Sequence, residues 1–235
     1  MRYDGGKGRC YQHIINLMPP HRVYIELFLG GGAVMRHKRP AEVSIGVDLD
    51  ETVIQSWRDQ DLCKVQLHCT DALDFLSAYD FIGDELLYAD PPYLPRTRRR
   101  SRVYRHDLDE GSHVRLLTAL GSLSCRVILS GYPSDLYDEM LRNWARSEFN
   151  GTSHIGRRRE VLWHNFEPPT LLHDYAFIGD TFRDRERVRR RAKRWQRRLE
   201  LMPECERLAL LTALQSKPVP AGATSACGQT DQESV

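Results

Sequence analysis

A doubly wound α/β sheet followed by a basic helical hairpin is the fold this sequence predicts, and three observations predict it. Short apolar runs alternate with helical patterns through the first two thirds of the 235 residues. Strands that alternate with helices form parallel sheets. The runs "VYIELF", "LLYA" and "RVILSG" are nearly continuous, as strands covered on both faces must be. Beyond Tyr175 the short alternation gives way to one long helical period set among arginines.

In chain order, the pattern predicts a helix over Cys10–Met18 and a first strand over Val23–Phe28 that runs into three glycines. A second strand spans Val43–Asp48, and Asp50 caps the helix Glu51–Trp57. Val65–Cys69, Leu86–Asp90, Arg126–Gly131 and Glu160–Asn165 read as further strands. Ala72–Tyr79, Glu110–Leu120 and Ser134–Trp144 read as the helices between them. His113, in H-x-x-L-L-x-x-L, reads as a helix-packing residue. Val188, Ala192, Trp195, Leu199 and Met202 step by 4, 3, 4 and 3, one apolar stripe on a long helix. Pro203 ends that helix and suits the first turn of the next, about Glu204 to Leu214. The pair is expected to form a hairpin docked on the sheet. Residues 216–235, rich in Ser, Gly, Pro, Ala, Thr and Gln, read as a disordered tail. The expected organisation is therefore 1–180, 181–215 and 216–235.

Composition narrows the class. Apolar residues make up 41%, enough for a sizeable core. The polar, glycine-rich start lacks the apolar stretch of a signal peptide, and no run reaches the roughly 18 residues of a membrane helix. A soluble, cytoplasmic protein is expected, away from any membrane; a monomer is compatible with the sequence. Six scattered cysteines without a C-x-x-C pair predict neither a metal site nor a disulfide framework. Net charge is +2, but residues 181–200 hold ten Lys/Arg against three acids, leaving the remainder at −5. An acidic body with one basic segment points to a polyanionic partner.

The glycine turn is the first chemical signal. Gly30 and Gly32 let the backbone turn tightly and let a ligand approach it. Asp48 ends the next strand 18 residues after Gly30, where a carboxylate accepts hydrogen bonds from ribose hydroxyls. Together they indicate a nucleoside-bearing cofactor, either NAD-like or S-adenosylmethionine. The second signal is Asp90, Pro91, Pro92 and Tyr93, "DPPY", at the end of an apolar strand. The prolines stiffen the turn and remove two donors. The loop then offers acceptors, on Asp90 and the Pro91 carbonyl, and an aromatic face on Tyr93. That set suits a planar base with an exocyclic amine. Such an amine is a poor nucleophile, because its lone pair is delocalised into the ring. Two acceptors draw the nitrogen toward tetrahedral geometry and aim the lone pair at an electrophile.

With these residues in this order, the chain resembles the alpha-class, Dam-like adenine-N6 DNA methyltransferases, and looks closest to the compact forms of phages and prophages. The resemblance runs from Tyr3 to about Phe166 and includes Gly5-Gly6-Lys7, the turn Phe28–Gly32, Asp48, Asp71 and Asp90–Tyr93. "LSGYPSDLYDEML" (Leu129–Leu141) and "RREVLWHN" (Arg158–Asn165) match further. It implies a Rossmann-like methyltransferase sheet, S-adenosylmethionine as cofactor, DNA as partner, and work in DNA methylation or restriction-modification. Tyr3 and Lys7 would help hold the cofactor, with Phe28, Gly30 and Gly32 lining its pocket. Asp48 would take the ribose and Asp71 the cofactor's adenine amine. Asp90 and Tyr93 would take the target base, Asp90 also bordering the cofactor. The chain departs from larger relatives in one respect: they place a target-recognition domain between the second Asp and D-P-P-Y, whereas Asp71 and Asp90 are only 19 residues apart.

DNA contacts are expected first at Arg96, Arg98, Arg99, Arg100 and Arg102, just after Tyr93, where guanidinium groups would grip flanking phosphates. Tyr104 could stack on a base or fill the gap left in the duplex. Arg157–Arg159 and the 181–200 helix are further basic segments. The same chemistry on RNA is the main rival reading. Glutamine methylation in proteins uses N-P-P-Y and conflicts with Asp90. An NAD-dependent oxidoreductase leaves D-P-P-Y without a role, and a non-catalytic nucleic-acid module leaves three strand-end aspartates unexplained.

Overall fold

A computed structural model describes residues 10–60, 64–94, 107–153 and 156–216. The chain divides into two compact units, Met1–Thr181 and Phe182–Val235. The first unit is a seven-stranded sheet in the order β3-β2-β1-β4-β5-β7-β6. Its strands are β1 (Val23–Leu27), β2 (Val43–Asp48), β3 (Val65–Cys69), β4 (Glu85–Ala89), β5 (Arg126–Gly131), β6 (Ala145–Ser153) and β7 (Gly156–His164). Strands β1 to β5 are parallel, and β7 runs antiparallel to both β5 and β6.

The helices between them are α1 (Tyr11–Ile15), α2 (Ala33–His37), α3 (Glu51–Arg58), α4 (Ala72–Ala78), α5 (Glu110–Gly121) and α6 (Asp135–Met140). Side chains alternate along a strand, and here the alternation sorts the core into two layers. Val23, Ile25, Leu27, Leu87 and Leu129 pack with residues of α4, α5 and α6. Tyr24, Leu86, Tyr88 and Ile128 pack with residues of α1, α2 and α3. Every residue of β1 and β4 is buried, which is why these two central strands read as nearly continuous apolar runs, broken only by Glu26 and Glu85. Three aspartates start helices: Asp50, Asp71 and Asp109 accept from the backbone N–H of Thr52, Leu73 and Ser112 at 2.9, 2.8 and 2.7 Å.

Three sequence expectations need correcting. Phe28 is not in β1, because its φ of 58° takes it out of extended geometry. Asp90 likewise falls one residue beyond β4. Only the second strand of the final hairpin is signalled by the sequence: β6, "ARSEFNGTS", has too few apolar residues to mark a strand alone and is held by its register with β7, from Ala145↔His164 to Ser153↔Gly156. The five-residue α2 is too short for a periodic pattern to show. His113 does pack in the core, with Nδ1 2.8 Å from the Tyr137 hydroxyl.

The second unit contains α7 (Phe182–Glu200) and α8 (Glu204–Gln215). Pro203 is the N-cap of α8. Neither helix has a buried residue, and Trp195, Leu208 and Leu214 are more than half exposed. The proposed tail, apart from Ser216, lies outside the described residues. Among the described residues, Cys10, Cys69, Cys125 and Cys205 are not in disulfides, no metal-holding cluster is found, and no helix is long and apolar enough to cross a membrane.

Candidate active site

The strand order changes direction between β1 and β4. β1 leads out to β2 and β3 on one side, and β4 leads to β5 on the other. Such a switch point opens a crevice at the carboxyl ends of the strands. Leu27 pairs with Ala89, so the next residues, Phe28 and Asp90, leave the sheet side by side.

Phe28 is the one non-glycine at positive φ among the described residues. An L-residue there costs about 1–2 kcal/mol, so the surroundings must hold it. Gly30 and Gly32, at φ 46° and 56°, continue the turn. Leu29 N–H donates to the Val47 carbonyl at 3.0 Å and Gly32 N–H to the Leu29 carbonyl at 2.7 Å. Trp57 Nε1 donates to the Gly30 carbonyl at 2.9 Å, and Arg36 lies 4.0 Å over the indole. Asp48 Oδ2 accepts from Gly30 N–H at 2.8 Å while Oδ1 accepts from Asp50 N–H at 2.9 Å. The aspartate assigned to a ligand from sequence is therefore also the clasp that fastens the glycine turn to the end of β2.

Carboxyl groups gather at this edge. Asp48 ends β2, Asp71 follows β3 as the cap of α4, and Asp90 follows β4. Glu26, next to last in β1, is 3% exposed and accepts from the Tyr24 hydroxyl at 2.9 Å. Burial, reinforced by the charge of Asp90, pushes the Glu26 carboxyl up to about 8. Lys38, with Nζ 4.1 Å over the Tyr24 ring, is drawn down to about 8 by burial, against the pull of Glu26.

Asp90 is half-buried, and its Oδ1 accepts from Ser130 Oγ at 2.7 Å. Ser130 Oγ is also 3.0 Å from the Tyr88 hydroxyl. A serine hydroxyl has one proton. Given to Asp90, it leaves Ser130 to accept from Tyr88, so the hydrogen bonds run Tyr88 to Ser130 to Asp90. Two adjacent strands thereby orient one carboxylate. The charge of Asp90 also acts on Tyr137, whose phenol is pushed up chiefly by burial and then by Asp90. Tyr93 does not present the open ring face expected of it: it is 7% exposed and meets Tyr132 edge to face at 4.4 Å. Its hydroxyl donates to Glu160 Oε2 of β7 at 3.4 Å.

Of the residues singled out from sequence, the structure brings Phe28, Gly30, Gly32 and Asp48 into one turn and sets Asp90 next to it. Pro91 and Pro92 follow, the first buried and the second half-buried. Tyr3, Lys7, Arg96, Arg98, Arg99, Arg100, Arg102 and Tyr104 lie outside the described residues. Sequence reasoning gives no role to Glu26, Trp57, Tyr88, Ser130 or Tyr132. Ser130 and Tyr132 fall in the matched stretch Leu129–Leu141, which is the only signal for either.

Residues 3–61 match the family model for D12 class N6 adenine-specific DNA methyltransferases. A comparison with curated proteins finds no match. Among solved structures, the chain is similar to the N-methyltransferase NodS from Bradyrhizobium japonicum WM9, at 12% identity over 67% of this chain and 94% of that one, TM-score 0.48. It is also similar to the O-methyltransferase TomG from Streptomyces achromogenes, at 14% identity over 67% and 78%, TM-score 0.46. A third is a precorrin 8w decarboxylase from Methanobacterium thermoautotrophicum, at 16% identity over 66% and 87%, TM-score 0.43. The D12 match covers the glycine turn and Asp48, the part of the site that the motifs single out first, and the chain is an S-adenosylmethionine-dependent methyltransferase whose first quarter resembles the D12 class.

Proposed function

We propose that this enzyme transfers the methyl group of S-adenosylmethionine to the exocyclic N6 of adenine in DNA. The observation that carries the proposal is the carboxylate of Asp90, fixed by Ser130 at the switch point beside the glycine turn.

The residues at the crevice fit this cofactor. Its sulfonium and ammonium groups are cationic, and Asp48, Asp71 and Asp90 make the carboxyl edge of the sheet acidic. A dinucleotide's pyrophosphate would meet repulsion at the same place. A carboxylate has about four acceptor sites, so Asp48 can take ribose hydroxyls while it holds Gly30 and Asp50. Asp71 uses Oδ1 for its cap and can turn Oδ2 to an adenine amine. When bound, the cofactor supplies an electrophilic methyl group.

The protein's part is to place the nucleophile. Asp90 and the Pro91 carbonyl accept from the target amine and pull its nitrogen out of conjugation. Asp90 then stabilises the positive charge that grows on that nitrogen as the new bond forms. The Ser130 hydroxyl keeps the carboxylate from rotating away. Tyr132, half-buried and packed edge to face against Tyr93, provides aromatic surface for a base drawn out of the duplex. The arginines between Arg96 and Arg102 grip the phosphates on either side of it.

The test is incubation with plasmid DNA, or with RNA, and S-adenosylmethionine, followed by mapping of modified bases. Methylated adenine in DNA is expected. Asp90→Ala should lower the rate by at least roughly 10²–10³-fold while cofactor affinity stays within a few-fold. Modified cytosine, or modification of RNA alone, would overturn the proposal.

A further inference from the structure

Ten Lys/Arg lie in residues 181–200, and nine of them are arginine. At about 100° per residue, seven fall on one face of α7: Arg183, Arg187, Arg190, Arg191, Arg194, Arg197 and Arg198, within an arc of roughly 120°. All seven are exposed. No acidic residue falls inside the arc. Val188, Ala192, Trp195 and Leu199 fill the neighbouring sector, and Arg185, Arg189 and Lys193 share the far side with Glu186 and Glu200. The pairs Arg187–Asp184 at 3.1 Å and Arg190–Glu186 at 2.9 Å are exposed and cost little to break.

We propose that the arginine face of α7 is a sequence-independent anchor for duplex DNA, in the unit of the chain that does not contain Asp90. The inference rests on DNA being the substrate. Its ground is charge complementarity of sustained length. From Arg183 to Arg198 the face is about 22 Å long, and duplex DNA presents one charge per ~1.7 Å of axis. Guanidinium groups pair bidentately with phosphate oxygens, which lysine cannot do. The rest of the chain is net negative, so attraction to a polyanion is concentrated here. A membrane surface is the less suitable partner. The apolar sector, with one alanine among four residues, is narrower than the stripe of about 100° or more by which surface helices bury themselves.

The test compares two triple variants of the full chain that lose equal charge: Arg190→Ala/Arg194→Ala/Arg197→Ala on the face, and Arg185→Ala/Arg189→Ala/Lys193→Ala off it. Affinity for a 30-base-pair duplex is measured by anisotropy across a salt series. Three lost phosphate contacts reduce the slope of log K against log salt by about 2.7. Over a fourfold rise in salt, the face variant should therefore lose about 40-fold less affinity than the parent. The off-face variant should keep a slope near the parent's, and Arg→Lys at the three face positions should restore it. An equal drop in both variants, or none in either, overturns the anchor. So does capture by phosphatidylserine vesicles in preference to the duplex. If the parent methylates plasmid DNA yet the face variant's slope is unchanged, the anchor fails and the function stands. If the parent methylates no DNA, the function fails while the salt series still reports on α7.

Discussion

Gly32→Ala should damage the cofactor turn through a contact no motif predicts. A Cβ built on Gly32 sits 2.0 Å from Trp57 Cζ2 and 2.6 Å from Cη2, and the residue is at φ +56°. The left-handed backbone alone costs an alanine about 1–2 kcal/mol. Trp57 is 2% exposed and bound through Nε1 to the Gly30 carbonyl, so the indole cannot swing away. Forcing it aside adds about 1–3 kcal/mol of overpacking, and losing the indole hydrogen bond adds about 1 kcal/mol. The expected loss of unfolding free energy is roughly 3–6 kcal/mol, with a matching fall in S-adenosylmethionine affinity. The assay is denaturant unfolding of Gly32→Ala in the parent and in a Trp57→Phe background. Phenylalanine lacks the benzo ring that carries Cζ2 and Cη2, so there the glycine change should cost only the backbone part, about 1–2 kcal/mol. A loss below about 1 kcal/mol in the parent, or an equal loss in both backgrounds, would refute the reasoning.

Two further outcomes follow from the buried polar groups. The Glu26 carboxyl, ordinarily near 4.5, is raised to about 8 in the folded protein. Its contribution to stability is therefore complete below pH 4.5 and is lost as pH rises through 8, by up to about 1.4 kcal/mol per unit. Subtracting the Glu26→Gln stability from the parent's cancels the opposite trend of His21, whose imidazole burial lowers to about 3. The difference should fall by roughly 2.7 kcal/mol between about pH 5 and pH 7; a flat difference would remove Glu26 from the pH response. Ser130→Ala deletes the hydroxyl that orients Asp90. A hydrogen bond to a charged group is worth about 1.5–3 kcal/mol, so single-turnover methylation should slow by about 10- to 150-fold. A rate within twofold of the parent would show that Asp90 is held by other means.

The fold is legible where burial is continuous and obscure where it is not. β1, β4 and all of β5 after Arg126 are covered on both faces, so their sequences are nearly continuous apolar runs and their positions can be read to within a residue or two. β6 lies at the sheet edge, where one partner strand suffices to hold polar residues in line. The helix starts are readable for a local reason: an aspartate cap acts on an N–H two or three residues away, and Asp50 declares itself by its place just ahead of the helical pattern. Site residues divide in the same way. Gly30, Asp48 and Asp90 announce themselves by short-range grammar, a glycine turn and strand-end carboxylates. Ser130 and Trp57 act across 40 and 27 residues of chain, and nothing local distinguishes them from other strand and helix residues.

That division explains a feature of the site itself. Asp48 and Asp90 are both expected to face ligands, yet each is already engaged by the protein, Asp48 by two backbone N–H groups and Asp90 by Ser130. A carboxylate left to find its own orientation would lose side-chain freedom at the moment of binding or reaction. Here that cost falls in folding, where the hydrogen bonds and the buried indole offset it. Phe28 follows the same logic, since its left-handed backbone is tolerable only because the two residues after it are fastened to the end of β2, Leu29 to Val47 and Gly30 to Asp48. Loosening a clasp of the glycine turn should therefore cost catalytic rate and cofactor affinity together, whereas removing Asp90, or the Ser130 hydroxyl that holds it, should cost rate alone. The two kinds of loss separate the frame of the site from its chemistry.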